Sequence, residues 1–140
     1  SIGTAWRAEW MGLAERRKIK ELQEVTLPGR VREIEEICGA PIPYEVDWDS
    51  FADDLEGLNF MDNLSCHRLN MALRVICSDD MGKEAVRETV KKVRLQNVKD
   101  KADMKLAFEA GVLDMRCAYA LRTEGMFSDN AIRNLLMQHL

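Results

Sequence analysis

The amino-acid sequence predicts an α+β fold in which a small antiparallel sheet of three or four strands is covered by several helices. Three observations carry this prediction. Apolar residues recur at helical spacing over much of the chain, they alternate with polar residues in its last third, and a two-residue turn brings the alternating segments into register. With 140 residues and neither an internal repeat nor a linker, residues 1–140 are expected to form a single domain.

The first helix is predicted over residues 5–24, and residues 1–24 are regarded as a helical N-terminal arm. Trp6 and Trp10 are one turn apart, but they drift out of phase with Ile19, so no single apolar face runs the length of the helix. We therefore expect the domain itself to cover this arm only in part.

A second helix has clearer boundaries. Thr26 is expected to cap its N-terminus, Pro28 suits its first turn, and Gly39 ends it. Ile34 and Ile37 fall at helical spacing between these limits.

The middle of the chain is predicted to contain a short strand followed by two helices. Residues 44–48 alternate like a strand, and Asp49 or Ser50 is expected to cap a short helix that ends near Gly57. The apolar residues of 58–77 then fall on one stripe of a longer helix.

Two further helices are expected in the second half of the chain. Residues 78–80 supply the cap of one, whose inner face includes Val86 and Val93, and Ser128 caps the other. Residues 93–98 are a candidate third strand of the sheet.

The clearest strand signal is a hairpin near 104–119. A two-residue loop at Ala110 and Gly111 aligns three apolar pairs on one face, and a one-residue slip would turn every side chain to the wrong side. The pairs are Phe108 with Leu113, Leu106 with Met115, and Met104 with Cys117. The same register places Lys105 opposite Arg116, a like-charge pair.

The charge of the chain is segregated. Ten acidic residues and no Lys or Arg lie between Glu33 and Cys66, whereas ten basic and six acidic residues lie between Arg68 and Lys105. A net charge of -4 hides this separation. The expected partner-binding residues are the six acids of residues 45–56, here called the acidic loop, and two tryptophans. They are Glu45, Asp47, Asp49, Asp53, Asp54, Glu56, Trp6 and Trp10.

The acidic loop is also a candidate divalent-cation site, since hard cations select oxygen ligands. An EF-hand is excluded, because a loop that begins at Asp47 would need a glycine at Ala52 and a glutamate at Leu58. No metal, no cofactor and no catalytic residue is assigned from the sequence.

A polar row is predicted on the helix over 58–77, opposite its apolar stripe. Its members are Asn63, His67, Asn70 and Arg74. This row is a possible small-anion site, with Arg74 as the charge partner and His67 as a proton donor or acceptor. The alternative is a plain solvent-facing row.

The four cysteines are expected to be reduced thiols in the core. Cys38, Cys66, Cys77 and Cys117 lie far apart in the sequence, without a CxxC pair and among apolar neighbours.

These features predict a cytoplasmic, non-enzymatic interaction protein, such as a regulator, adaptor or immunity-type inhibitor, whose acidic surface meets a basic surface of a protein partner. The alternative is a small enzyme that uses the acidic loop and His67 around a divalent metal or an anionic substrate. No serine elbow, phosphate loop or dinucleotide turn supports it. Neither a membrane nor a nucleic acid is an expected partner, since no apolar run is long enough to span and no aromatic residues interleave the basic segment.

The arm generates the first testable prediction, a homodimer anchored by Trp6 and Trp10. Two large aromatic side chains on an uncovered helix expose much apolar area, and tryptophan is enriched among interface anchors. Light scattering at high micromolar concentration should detect the dimer, and Trp6→Ala combined with Trp10→Ala should dissociate it. A monomeric wild-type protein would contradict the prediction.

Overall fold

The predicted α+β fold is confirmed for residues 11–140, the part of the chain that the computed structural model describes. Trp6, Trp10 and the start of the predicted arm lie outside these residues. Four strands form one sheet in the order β1-β2-β4-β3. They are β1 (Tyr44–Val46), β2 (Lys92–Asn97), β3 (Lys105–Glu109) and β4 (Val112–Cys117).

The prediction that the sheet is antiparallel is wrong, because two of its three strand pairs are parallel. β1 runs parallel to β2 and β2 runs parallel to β4, and only β3 and β4 are antiparallel. Long helical connections separate β1 from β2, as parallel pairing requires. The sequence was misleading because β2 and β4 bury alternate residues, a pattern more typical of antiparallel sheets with one covered face.

The hairpin is confirmed. Phe108 pairs with Leu113 and Leu106 pairs with Met115, and the ladder ends at Lys105 opposite Arg116, so that Met104 lies outside it. Arg116 lies 3.3 Å from Asp114 on its own strand, which offsets the like-charge pair. Ala110 and Gly111 have φ of 52° and 81°, as a type I′ turn requires at both positions.

The first two predicted helices form one continuous helix. α1 (Leu13–Glu21) and α2 (Leu27–Cys38) are joined by a π-helical turn at Leu22–Thr26. Thr26 has helical φ and ψ and makes no capping hydrogen bond, so the predicted helix start is wrong. Because Pro28 has no N–H to donate to the preceding turn and its ring needs space there, a wider turn just before it accommodates the proline. Gly39, with φ of 86°, ends α2 as predicted.

A second continuous helix, here called the central helix, runs over residues 55–76. It consists of α3 (Leu55–Met61), a π-helical turn (Asp62–Cys66) and α4 (His67–Ile76). Its N-cap is Asp54, whose carboxylate accepts a hydrogen bond of 2.8 Å from the Gly57 N–H. The cap predicted at Asp49 or Ser50 is therefore wrong, since those residues lie in a 3₁₀ turn, Trp48–Phe51. Gly57 lies in the first turn of this helix and does not end a helix.

The caps of the last two helices agree with the prediction. α5 (Asp80–Thr89) begins after Asp79, which accepts from the Gly82 N–H, and α6 (Asp129–Met137) begins after Ser128, which accepts from the Ala131 N–H. Helix α5 ends at Thr89 and Val93 belongs to strand β2, so the predicted place of Val93 on the inner face of that helix is wrong and the third strand is confirmed.

One core connects these elements. Alternate residues of the two middle strands point into it: Val93, Leu95, Leu113 and Met115. Because their neighbours along the strand stay partly exposed, helices cover only one face of the sheet. Phe51 stacks on Tyr119, with ring centroids 5.5 Å apart, and closes one end of the core. Within residues 11–140, no helix is long and apolar enough to cross a membrane.

The hairpin turn can be tested with two neighbouring substitutions. Gly111→Ala should lower the free energy of unfolding by about 1–2 kcal/mol, since an alanine would have to hold a left-handed conformation. Its Cβ would also lie 3.0 Å from the Lys91 Cγ. Ala110→Gly is the matched control and should change the free energy by less than about 0.5 kcal/mol, because relief of strain offsets the extra freedom of the unfolded chain. Urea unfolding measures both, and a fully stable Gly111→Ala variant would contradict the turn.

Candidate functional site

Four carboxylates of the acidic loop contact basic side chains of the same molecule, the weakest contact being that of Asp54, 3.9 Å from Lys99. Glu45 lies 2.7 Å from Lys92 and 3.4 Å from Arg94, Asp53 lies 3.1 Å from Lys99, and Glu56 lies 2.9 Å from Arg122. The hydrogen bond from Lys92 lowers the pKa of Glu45, and the one from Lys99 lowers the pKa of Asp53. Such exposed ion pairs add little to the stability of the fold. They nevertheless balance part of the negative charge of the acidic loop with basic side chains of the same molecule.

Asp54 is a buried structural residue. Besides capping the central helix, its carboxylate accepts a 2.9 Å hydrogen bond from the Asn97 side-chain amide at the end of β2. The same amide donates to the Ser50 carbonyl at 3.1 Å. Asp54 therefore links the start of the central helix to the sheet.

The two remaining acids of the loop, Asp47 and Asp49, flank Trp48 at the end of β1. The Asp47 backbone continues the sheet, since its N–H donates to the Leu95 carbonyl at 2.9 Å. Among residues 11–140, no three His, Cys, Asp or Glu side chains come close enough together to hold a metal ion. The geometry of the loop thus gives no support to the metal-dependent alternative.

The predicted polar row does not share one environment. Asn63 and Arg74 are exposed and His67 is half-buried, but Asn70 is fully buried. The Asn70 amide donates a 2.8 Å hydrogen bond to the carboxylate of Glu33 on α2. At the position of Asn70, the row therefore packs against the neighbouring helix α2. The sequence pattern did not reveal this contact.

An ion-pair network surrounds this contact and joins α2 to the central helix. The Arg30 guanidinium donates to both carboxylate oxygens of Asp62, at 2.8 and 2.9 Å, and to Glu33 at 3.1 Å. Arg74 lies 3.7 Å from Glu33 on the other side. The hydrogen bond from Asn70 contributes most to lowering the pKa of Glu33, and Arg30 adds to it. Since both arginines already face carboxylates, the network fits a structural role better than an anion site.

The feature that sequence reasoning missed is an apolar groove of about 720 Å³ between the end of α4, the start of α5, and α6. Its apolar lining residues are Val75, Ile76, Met81, Ala85, Met137 and Leu140. Val75, Met81 and Met137 expose 51%, 80% and 56% of their surface. The available signal was weak: Val75 and Met81 are apolar residues at positions outside the helical stripes, where polar residues are expected.

Three carboxylates run along α5, the helix whose Met81 and Ala85 line the groove. Asp80, Glu84 and Glu88 are exposed and spaced four residues apart, so they form one row next to Met81. We call them the α5 acidic row. None of the three forms an ion pair with another residue in the 11–140 range. The opposite wall carries Arg133 on α6. In contrast to the acidic loop, this row leaves its charge uncompensated by ion pairs.

The dual role of Asp54 can be tested against Asp79, which caps α5 through the same 2.8 Å hydrogen bond to a glycine N–H but is exposed. Asp79→Ala should cost about 1 kcal/mol, the usual value of a cap. Asp54→Ala should cost roughly 2–4 kcal/mol, since it also leaves the buried Asn97 amide short of an acceptor. The free energies of unfolding in urea compare the two, and equal costs would contradict the buried role.

Comparison with known proteins adds no relative: no family model matches the chain, and no curated protein or solved structure is significantly similar to it.

Proposed function

We propose that the protein is a non-enzymatic interaction module that binds an amphipathic helix of a partner protein in the groove between α4, α5 and α6. The observation that carries the proposal is the exposure of Val75, Met81 and Met137 on the walls of one groove. Single exposed apolar residues are common on protein surfaces, but a contiguous apolar concavity is typical of a binding site.

The composition of the groove favours a helical occupant. Methionine side chains are flexible and polarisable, so they adapt to the apolar face of a bound helix. Helix-in-groove recognition uses apolar anchors at positions i, i+3, i+4 and i+7, and the groove offers such anchors apolar surface on α4, α5 and α6.

The α5 acidic row favours an occupant with a basic edge. From Asp80 to Glu88 the helix rises by about 12 Å, at 1.5 Å per residue. Lysine or arginine residues spaced four apart on a bound helix would have the same repeat and could face each carboxylate in turn. The basic protein partner expected from the sequence is thus retained, and its contact is assigned to the α5 acidic row because Glu45, Asp53 and Glu56 already have basic neighbours.

The proposal predicts binding of a designed amphipathic peptide of leucine and lysine, measured by fluorescence anisotropy with a labelled peptide. Replacing both groove methionines, Met81→Ser with Met137→Ser, should weaken binding at least tenfold, because two apolar contacts of about 1.5–3 kcal/mol each are reduced. Val25→Ser is the matched control and should leave affinity unchanged, since Val25 is 65% exposed but lies away from the groove.

The charge contribution is tested separately. Glu84→Gln with Glu88→Gln should weaken binding and flatten its dependence on salt, because two screened attractions are lost. A peptide of leucine and glutamate with the same spacing should bind more weakly than the lysine peptide. Equal affinity for both peptides, no binding by the wild type, or unchanged affinity in the methionine variant would contradict the proposal.

A further inference from the structure

Cys38 and Cys77 are distant in the sequence but adjacent in the fold. Cys38 is the last residue of α2 and Cys77 caps the C-terminus of α4. Their Sγ atoms are 2.9 Å apart, and all four cysteines of the chain are free. A disulfide bond requires about 2.05 Å between the sulfurs, so the pair is roughly 0.9 Å from bonding distance. The ends of the two helices therefore hold the sulfurs close to the position in which they could bond.

The surroundings give the two thiols different reactivity. The hydrogen bond with the Cys38 thiol contributes most to lowering the pKa of Cys77, and the positive charges of Lys83 and Arg87 lower it further. The same hydrogen bond and burial raise the pKa of Cys38, and the charges of Lys83 and Arg87 offset only part of that rise. Cys77 also keeps 4% of its surface exposed, whereas Cys38 has none. Because Cys77 is the partly exposed sulfur of the pair, it is the one that a peroxide can reach first, and the buried Cys38 is placed as the resolving thiol.

The other two cysteines, Cys66 and Cys117, differ from the Cys38–Cys77 pair in their surroundings. Burial raises the pKa of Cys66 to about 12 and also raises the pKa of Cys117. Cys117 lies 3.7 Å from the Ser65 hydroxyl, so its hydrogen-bonding neighbour is a hydroxyl group. Neither has a second thiol in hydrogen-bond contact, and both are expected to stay inert.

We propose that Cys38 and Cys77 are a redox-active pair that closes to an intramolecular disulfide when the protein meets a peroxide. The Cys77 thiolate attacks one oxygen of hydrogen peroxide, which forms a Cys77 sulfenic acid and releases hydroxide. The hydroxide takes up the proton that Cys77 lost. The Cys38 sulfur then attacks the Cys77 sulfur, the S–O bond breaks, and the departing oxygen takes up the Cys38 proton and leaves as water. Two thiols are oxidised, and one peroxide is reduced to two waters.

The disulfide would tie the C-terminal ends of α2 and α4 together. Cross-linking residues 38 and 77 closes a loop of about 40 residues, which restricts the unfolded chain more than the folded one. The folded protein needs only a small shift at two helix ends, so the bond should form without loss of structure.

The inference is tested on the wild-type protein by brief treatment with hydrogen peroxide, followed by alkylation under denaturing conditions and non-reducing peptide mapping. The expected result is a cross-linked peptide containing Cys38 and Cys77, lighter by two hydrogens than the two thiol peptides and restored by dithiothreitol. Cys66 and Cys117 should be fully alkylated. The Tm of the oxidised protein should rise by about 5 °C or more.

Variants provide the matched comparison. Cys66→Ser should form the same cross-link, and Cys38→Ser should instead accumulate oxidised Cys77 without a cross-link. Free thiols at both Cys38 and Cys77 after peroxide treatment would overturn the proposal, and so would wild-type Cys77 that oxidises to the sulfinic acid while Cys38 stays free. Because the wild-type peptide map decides the matter, the conclusion does not depend on the folding of any variant.

Discussion

The central helix, residues 55–76, is the element on which the rest of the structure depends, because it packs against the fold on several sides. Toward the sheet, the Ser65 hydroxyl lies 3.7 Å from the Cys117 Sγ on β4. Toward α2, the Asn70 amide donates to the Glu33 carboxylate, and α6 packs against α4 at the far end. A buried polar group without a hydrogen-bond partner is costly, so these contacts fix the orientation of the central helix. The hydrophobic effect is not directional and would specify that orientation less well.

The charges that are segregated along the sequence are partly paired in the folded protein. In the sequence, the acidic and basic segments are separate, but strand pairing brings β1 beside β2 and places Glu45 against Lys92 and Arg94. Ion pairs within a chain reduce the field that a partner meets. The α5 acidic row has no such pairs within residues 11–140, and it lies on the same helix as Met81 and Ala85, which line the apolar groove. The helix to which we assign partner binding therefore carries both apolar groove residues and carboxylates without ion pairs.

The candidate site could be predicted only in part, because its contacts join residues that are far apart in the sequence. The sequence shows the acidic loop as a cluster of acidic residues. The basic side chains that contact these acids, however, come from residues more than 40 positions away. The groove has no motif, since it forms where three helices meet and each contributes one or two apolar residues. From the sequence, Asn70 belongs to a polar row, because helical periodicity describes the faces of one helix only. It contains no information about the second helix that packs against that face.

The sequence by itself determined what depends on a few adjacent residues. Gly39 ends a helix, Ser128 caps one, and Ala110 with Gly111 sets the hairpin register, because capping and turn geometry involve only near neighbours.

Only the tertiary structure decided the parallel order of the strands, the burial of Asp54 and the meeting of Cys38 with Cys77. Alternating burial is compatible with either strand direction when one face is covered, so the pattern could not select between them. Which distant residues meet is set by packing the whole core at once, and no local pattern carries that information.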